Sequence, residues 1–196
     1  MSYAVRRSKK ARSTTETTSR RRRPKRGSPR SNASADSGSG ISPLNEDWSE
    51  FLAALISTGT RFLLIGGHAV AVHAEPRFTE DLDVFVAPSE SNAARLRRAL
   101  VDFGFGSVAP PVRKLALPNR VWMLGRKPRR IDILTGISGV SFAEASRGKL
   151  VVSVGGIAVP VIGRRALLKN KVASGRTKDR LDVELLAKHA PRRRRS

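Results

Sequence analysis

The chain has 196 residues, a formal net charge of +22 and no cysteine. A chain of this length forms one domain with a substantial core by default, and the lack of cysteine excludes disulfides and thiolate metal sites. No apolar run approaches the roughly 18 residues that cross a bilayer, and no apolar segment follows the charged N-terminus, as a secretory signal requires. We therefore predict a soluble, cytoplasmic protein that stays out of the membrane and attracts polyanions.

The positive charge is concentrated towards the ends of the chain. Residues 1–40 hold 12 lysines and arginines against two acidic residues, with few apolar side chains. Such a segment buries too little apolar surface to offset its ordering entropy. The sequence predicts a disordered basic tail over 1–42, a folded domain over 43–190 and a basic tail over 191–196. The first tail either binds nucleic acid through phosphates or is a solvated segment, including translated sequence upstream of a mis-assigned start.

Apolar periodicity predicts most elements of the domain. A helix is expected after the N-cap Asn45, with one buried stripe of Trp48, Phe51, Leu52, Leu55 and Ile56. A second helix is expected after Ser89, and the proline-containing segment 106–118 is expected to be irregular. Strands are expected over 121–124 and 131–134, and a hairpin over 151–154 and 157–161. Helices interrupted at Gly175 are expected to close the domain.

The stretch Phe62–Val86 predicts a strand, a glycine turn, a short helix, a loop and a second strand. Gly66 and Gly67 end the first strand, and without Cβ atoms they allow a sharp turn and the close approach of a ligand. The free N–H groups of the helix that follows, from about His68, favour an anion. The turn is therefore a candidate anion site.

Asp81 and Asp83 stand one residue apart at the start of the second strand. Side chains of a strand alternate between its faces, so these two carboxylates point the same way. Their repulsion on one face is removed by a divalent cation, and carboxylates suit Mg²⁺, which completes its shell with water and substrate phosphate. An anion turn beside a cation site predicts the binding of a nucleoside triphosphate.

Four ordered segments carry a resemblance to a known family. They are Gly66-Gly67-x-Ala69, Arg77-x-Thr79-x-Asp81-x-Asp83, Arg130-Ile-Asp132-Ile-Leu134 and the lysine-rich segment from Lys169 to Asp182. Together they resemble the polymerase-β-type nucleotidyltransferases, in particular the small bacterial subgroup of AbiEii-type toxins and minimal nucleotidyltransferases. The resemblance spans about residues 60–188. One departure is that many members have Gly-Ser in the turn, where this chain has Gly66-Gly67.

The resemblance implies an α+β fold, with a mixed twisted sheet and flanking helices around a polymerase-β-like nucleotidyltransferase core. It also implies a Mg²⁺-dependent enzyme, with two ions held by Asp81, Asp83 and Asp132 as catalytic and metal-binding residues, that releases pyrophosphate from a nucleoside triphosphate. The residues implied to bind the nucleotide are Gly66, Gly67, His68, Arg77, Thr79, Lys169, Lys171 and Lys178. The implied acceptor is RNA, with a tRNA end as one case, or a protein, and a partner toxin or antitoxin is a candidate.

Several of these residues have simpler interpretations. Asp132 faces either the cleft or water at the sheet surface. Arg77 pairs with a phosphate or carboxylate, or makes a structural ion pair with Glu75 or Glu80. The lysines reach the triphosphate or belong to a salt-bridged helical surface, and the five-residue spacing of His68 and His73 argues against joint metal binding.

One other class of function competes with nucleotidyl transfer. The same fold could serve as a non-catalytic nucleotide-binding or RNA-binding module, because a fold does not determine a function. The position of Asp132 separates the two, since the module predicts that Asp132 lies away from Asp81 and Asp83. A P-loop phosphotransferase is excluded, because no Gly-x-x-x-x-Gly-Lys-Ser/Thr segment occurs.

Overall fold

A computed structural model describes residues 44–189, which form an α+β fold with a six-stranded mixed sheet and flanking helices. The predicted tails 1–42 and 191–196 lie outside the described residues. In chain order, the elements are α1 (Glu46–Ser57), β1 (Phe62–Leu64), α2 (Gly66–His73), β2 (Asp81–Val86), α3 (Glu90–Leu100), a π-helical turn (Val101–Phe105), α4 (Val112–Leu115), β3 (Val121–Leu124), β4 (Arg130–Leu134), α5 (Phe142–Arg147), β5 (Leu150–Val154), β6 (Ile157–Val161), α6 (Arg164–Ser174) and α7 (Thr177–Lys188). No helix among residues 44–189 is long and apolar enough to span a membrane.

The sheet has the strand order β3-β4-β2-β1-β6-β5. Strands β1 and β2 are antiparallel and β2 and β4 are parallel, so β2 lies between β1 and β4. The register of β2 on β4 pairs Asp81 with Arg130 and Asp83 with Asp132. Directly opposed residues on neighbouring strands share a face, so this register brings the acidic side chains of both strands to one side of the sheet.

Helix α1 forms where its capping residue and apolar stripe predict. The Asn45 side chain accepts a hydrogen bond from the Trp48 backbone N–H at 3.0 Å, and Glu46 and Asp47 occupy the positive end of the helix. The predicted stripe is buried except for Ile56, which is 39% exposed. The stripe is therefore one residue narrower than the periodicity indicates.

The core is continuous through both the sheet and the helices. Strand β1 is buried along its whole length, and in β2 the residues that alternate with the acidic positions, Leu82, Val84 and Val86, are also buried. Helix α1 packs on α3, and α6 and α7 pack on each other and on α2. This packing holds the start of β2 and the glycine turn on rigid elements.

Two local predictions differ from the structure. Helix α2 begins at Gly66 and not near His68, so both glycines belong to its first turn. Segment 106–118 is not wholly irregular, because it contains the short helix α4, whose Leu115 is buried in the core. A four-residue helix with a single buried apolar residue leaves too little periodicity to be recognised. The predicted hairpin is present as β5 and β6.

Candidate functional site

A large open cleft lies where the glycine turn faces the first half of β2. Its volume is about 720 Å³. The floor and walls come from the glycine turn, the loop before β2, strands β2 and β4, and the junction of α6 with α7. The lining includes Gly66, Gly67, Arg77, Phe78, Thr79, Asp81, Asp83, Lys127, Arg130, Asp132, Lys171, Arg176 and Lys178. The cleft therefore combines carboxylates with a larger number of cationic side chains.

The glycine turn fits closely against β2 and its preceding loop. Gly66 has a φ of 65°, and a Cβ added there would overlap the carboxylate of Asp83. A Cβ on Gly67 would lie 2.7 Å from the Thr79 hydroxyl oxygen. Both positions therefore require glycine, the first for its backbone conformation and its close approach, the second for its close approach alone.

Three carboxylates from two adjacent strands line the cleft. Asp81 and Asp83 alternate with buried residues of β2, and Asp132 lies opposite Asp83 in β4. Asp132 thus faces the cleft, and the alternative in which it faces water at the sheet surface does not hold. The carboxylates are largely buried, with side-chain exposures of 14% for Asp81 and 12% for Asp132.

Arg130 joins two of these carboxylates. Its Nη2 donates to Asp81 Oδ2 at 2.8 Å and to Asp132 Oδ2 at 2.9 Å, while its Nε donates to Asp132 Oδ1 at 2.8 Å. The guanidinium therefore makes a bidentate contact with Asp132 and bridges to Asp81, which is the strong geometry for such pairs. Lys127 adds a weaker contact, with Nζ 3.8 Å from Asp81 Oδ2.

Arg130 donates hydrogen bonds to Asp81 and Asp132 but not to Asp83. Burial, followed by repulsion from Asp132 and Asp81, raises the pKa of Asp83 to about 6, although Lys171 and Lys178 oppose the shift. Burial also raises the pKa of Asp132, and the hydrogen bond from Arg130 opposes that shift. The cleft thus holds a carboxylate whose charge is poorly compensated by the protein alone.

The oxygen ligands of the cleft suit a hard cation, but the Arg130 guanidinium occupies the space between two of the carboxylates. Asp81 Oδ1 is buried without a hydrogen-bond partner, and carboxylate oxygens are the ligands that Mg²⁺ prefers. Within residues 44–189, no group of three or more His, Cys, Asp or Glu side chains is arranged to hold a metal ion. The Arg130 guanidinium lies between Asp81 and Asp132, so a shared cation requires it to move aside.

Arg77 is committed to a structural ion pair. Its Nη2 donates to Asp182 Oδ2 at 3.2 Å, and its Nε lies 3.1 Å from Asp182 Oδ1, where Asp182 is only 2% exposed. The expected alternative partners, Glu75 and Glu80, are not the ones used here. The pairing was not predictable, because Asp182 lies 105 residues further along the chain. The side chain still lines the cleft next to Gly67.

The three lysines proposed from the sequence have different surroundings. Lys169 does not line the cleft and pairs with Glu144 at 2.8 Å. Lys171 lines it but is 3% exposed, with Nζ 2.8 Å from both Asp179 and Asp182. Lys178 is exposed, lines the cleft and acts on the pKa of Asp83 and Asp132. Lys178 is thus the lysine of the three best placed to meet an anion.

His68 does not lie where the sequence suggests. It is buried against Trp48, with ring centroids 5.1 Å apart in an edge-to-face arrangement, and it does not line the cleft. Burial, followed by the nearby Arg77 charge, lowers the pKa of His68 to about 4. A neutral, buried imidazole cannot neutralise a phosphate. Because α2 begins at Gly66, the third residue of the helix is already turned towards the core.

The sequence reasoning missed several cleft residues, among them Arg130, Lys127, Arg176 and Phe78. Arg130 stands two residues before Asp132 in one strand, and the period of two was a sufficient signal that both face the cleft. Phe78 is 81% exposed at the cleft, and no periodicity marks a residue in a loop. No protein-family model matches the chain, and no curated protein sequence matches it.

Proposed function

We propose that this protein is a Mg²⁺-dependent nucleotidyltransferase with a polymerase-β-like core, which transfers a nucleoside monophosphate from a nucleoside triphosphate to an acceptor hydroxyl. The observation that supports it most is the placement of Asp81, Asp83 and Asp132 on one face of two parallel strands, opposite a turn that tolerates only glycine. A non-catalytic module does not need three carboxylates at such an electrostatic cost.

The chain's own groups have distinct roles in this proposal. The backbone N–H groups of Gly66 and Gly67, at the start of α2, donate hydrogen bonds to phosphate oxygens. Lys178 adds an exposed positive charge, while Lys171 is already neutralised by Asp179 and Asp182 and acts mainly by holding α7 against α6. The cleft therefore binds the triphosphate with backbone dipoles and few charged side chains.

The reaction is an in-line displacement at the α-phosphorus. A bond forms between the acceptor oxygen and the α-phosphorus, the bond to the bridging oxygen breaks, and pyrophosphate leaves with the bonding electrons. Asp132, whose pKa is raised by burial, accepts the hydroxyl proton. Bound Mg²⁺, held by Asp81, Asp83 and Asp132 once Arg130 has moved, would stabilise the charge on the attacking and leaving oxygens.

We propose RNA as the acceptor, because the chain has a net charge of +22 and the cleft is lined by Lys127, Arg176 and Lys178. A protein is the alternative acceptor. The resemblance suggests that this protein is one component of a toxin–antitoxin pair.

One observation favours a second candidate, a nucleotide-binding or RNA-binding module without catalysis. Arg130 donates three hydrogen bonds to Asp81 and Asp132, so the protein compensates much of the charge of these two carboxylates without a metal. In this candidate, the ion pair is permanent and the cleft binds nucleotides without reaction.

A transfer assay separates the two candidates. The full chain is incubated with Mg²⁺, each α-³²P-labelled nucleoside triphosphate, and total RNA or a protein extract, and label in macromolecules is measured. We expect labelling that Asp83→Asn abolishes and that the control Asp102→Asn leaves unchanged, since Asp102 is exposed outside the cleft. Nucleotide binding without labelling would reject the enzyme and favour the module, and labelling that survives Asp83→Asn would reject the proposed mechanism.

A further inference from the structure

Phe78 is an exposed aromatic side chain in a polar cleft. Its exposed fraction is 81%, the highest of any large apolar side chain among residues 44–189. It lines the cleft that contains the three carboxylates. Leaving a phenylalanine in water forgoes the stabilisation that its burial provides. An exposed ring at a binding cleft therefore indicates a ligand more strongly than the same ring elsewhere on the surface.

The loop that carries Phe78 is fixed on both sides of it. Arg77 is held by the buried Asp182, and Thr79 packs against Gly67 and donates a 3.4 Å hydrogen bond to the Asp81 carbonyl oxygen. The residues before and after the ring are thus held by neighbouring elements, and Phe78 between them lines the cleft. The exposure of Phe78 follows from this anchoring, so the ring is presented in a defined position.

The surroundings of the ring select the kind of ligand. The cleft that Phe78 lines contains many charged or polar side chains, among them Glu80, Lys127 and Arg176. An apolar protein surface would remove these charged groups from water and offer them no polar contact, which is costly. A ligand with a flat apolar group joined to phosphates matches both the ring and the cations, and a nucleotide has this composition.

We propose that Phe78 is a stacking platform for a nucleobase. The proposal rests on the proposed function for the nature of the ligand, but it concerns binding and needs no transfer. The base comes either from the nucleoside triphosphate or from the terminal nucleotide of an RNA acceptor, because both bring a π-face and phosphates to the same cleft. Stacking on an aromatic side chain tolerates every base, so Phe78 contributes affinity without choosing between bases.

The test measures equilibrium binding by calorimetry in Mg²⁺ to the full chain and its variants. Non-transferable α,β-methylene analogues of the four nucleoside triphosphates are compared with inorganic tripolyphosphate, which has no base. A single-stranded RNA octamer is compared with the same octamer ending in an abasic nucleotide. The variants are Phe78→Ala, Phe78→Trp, which keeps a π-face, and Leu181→Ala, an apolar control that is 62% exposed outside the cleft.

We expect Phe78→Ala to weaken binding of the base-containing probe by about 5-fold to 150-fold, with binding of its base-free counterpart unchanged. Phe78→Trp should retain affinity, and Leu181→Ala should behave as the wild type. A loss confined to the triphosphate analogues assigns the base to the substrate, and a loss confined to the intact octamer assigns it to the acceptor; both support the proposal.

Three results overturn it: unchanged binding of all probes by Phe78→Ala, equal weakening of base-containing and base-free probes, or wild-type protein that binds base-containing probes no more tightly than base-free ones. Failure of the proposed function looks different. Base-dependent binding through Phe78 without any transfer rejects the enzyme and leaves the stacking platform intact, whereas transfer that is indifferent to Phe78→Ala rejects only the platform.

Discussion

Asp83 is less stable as a charged group in the folded protein than in water. Its pKa is raised to about 6 by burial and by Asp132 and Asp81, against an ordinary value of 3.8. The folded state therefore binds a proton more readily than the unfolded state between these two values. Stability must fall as the pH rises from about 4 to about 6, and the penalty is constant above that range.

Asp83→Asn should remove this penalty. At pH 7 and without divalent cations, we expect the variant to be more stable than the wild type by about 1–3 kcal/mol, and near pH 4 the two should be alike. Chemical denaturation in EDTA between pH 4 and pH 8 measures the difference. The exposed carboxylate Asp102 supplies the control, since Asp102→Asn should give no such pH-dependent gain. A gain of equal size at both pH values would contradict the electrostatic origin.

Arg130 acts as an internal counter-ion for Asp81 and Asp132. A divalent cation shared by these carboxylates must displace it, so the ion pair and the metal compete. Arg130→Gln should lower the melting temperature without metal, because partly buried carboxylates lose their partner. It should also increase the rise in melting temperature caused by Mn²⁺, because binding no longer breaks an ion pair. Thermal melts over a Mn²⁺ titration measure both effects.

The matched control for Arg130 is its neighbour Arg129. Arg129 is 68% exposed and its Nη1 lies 3.5 Å from Asp47, away from the three carboxylates. Arg129→Gln should change neither the stability without metal nor the response to Mn²⁺ beyond the small effect of an exposed pair. An Arg130→Gln variant with wild-type affinity for Mn²⁺ would show that the cation binds without displacing the guanidinium, or elsewhere.

At the scale of elements, a buried ion-pair network joins α6, α7 and the loop before β2. Lys171 of α6 contacts Asp179 and Asp182 of α7, and Asp182 in turn holds Arg77. Burial alone would raise the pKa of Asp179, but hydrogen bonds from Arg176 and Lys171 outweigh it and leave the pKa well below its usual range. The network therefore stabilises the fold above about pH 4 and weakens as the pH falls through the lowered pKa.

Lys171→Met should be strongly destabilising, by about 3–5 kcal/mol, because it leaves Asp179 and Asp182 buried with fewer partners. The matched variant Lys169→Met, two residues earlier on the same helix, removes an exposed pair with Glu144 and should cost less than about 1 kcal/mol. Urea denaturation at pH 7 compares the two. Equal losses would mean that the buried network is no more important to the fold than a surface ion pair.

The elements that are regular in sequence could be predicted, and the irregular ones could not. Asn45, the stripe of α1 and the hairpin over β5 and β6 each have a local signal that the structure follows. Helix α4 and the first turn of α2 have none, because four residues are too short for a periodic pattern and glycine is a poor helix former. The α+β class that the resemblance implies is the class observed.

The shared direction of Asp81 and Asp83 was predictable, because side chains of a strand alternate between its faces. The place of Asp132 beside them was implied by the resemblance, since its strand alone left both faces open. The partners of the cations were not predictable. Arg77 meets Asp182 and Lys171 meets Asp179 only after α7 has folded back onto the loop and α6. His68 was misplaced because α2 begins at Gly66, two residues before the predicted start, and two residues of an α-helix correspond to a rotation of about 200°. Such errors concern contacts across the chain, which no local pattern contains.

At the scale of the molecule, a large part of the positive charge precedes the segment of the chain that forms the apolar core. The buried apolar cluster extends from Trp48 to Leu186 among the described residues, while residues 1–40 carry 12 of the 38 lysines and arginines. Removing residues 1–40 should therefore leave the free energy of unfolding nearly unchanged. The truncation should instead weaken binding to polyanions, because the affinity depends on the number of phosphates that are neutralised.

The last prediction concerns how RNA binding responds to salt. For the full chain, we expect a steep linear fall of log K with log salt concentration on a single-stranded RNA without defined sequence. Each neutralised phosphate contributes about 0.7 to the slope, so removing residues 1–40 should reduce the slope by at least about 2 if three or more basic residues there contact phosphates. Fluorescence anisotropy of labelled RNA between about 50 mM and about 300 mM salt measures the slope. An unchanged slope would show that the 12 basic residues of this segment remain solvated and that RNA is attracted by the folded domain alone.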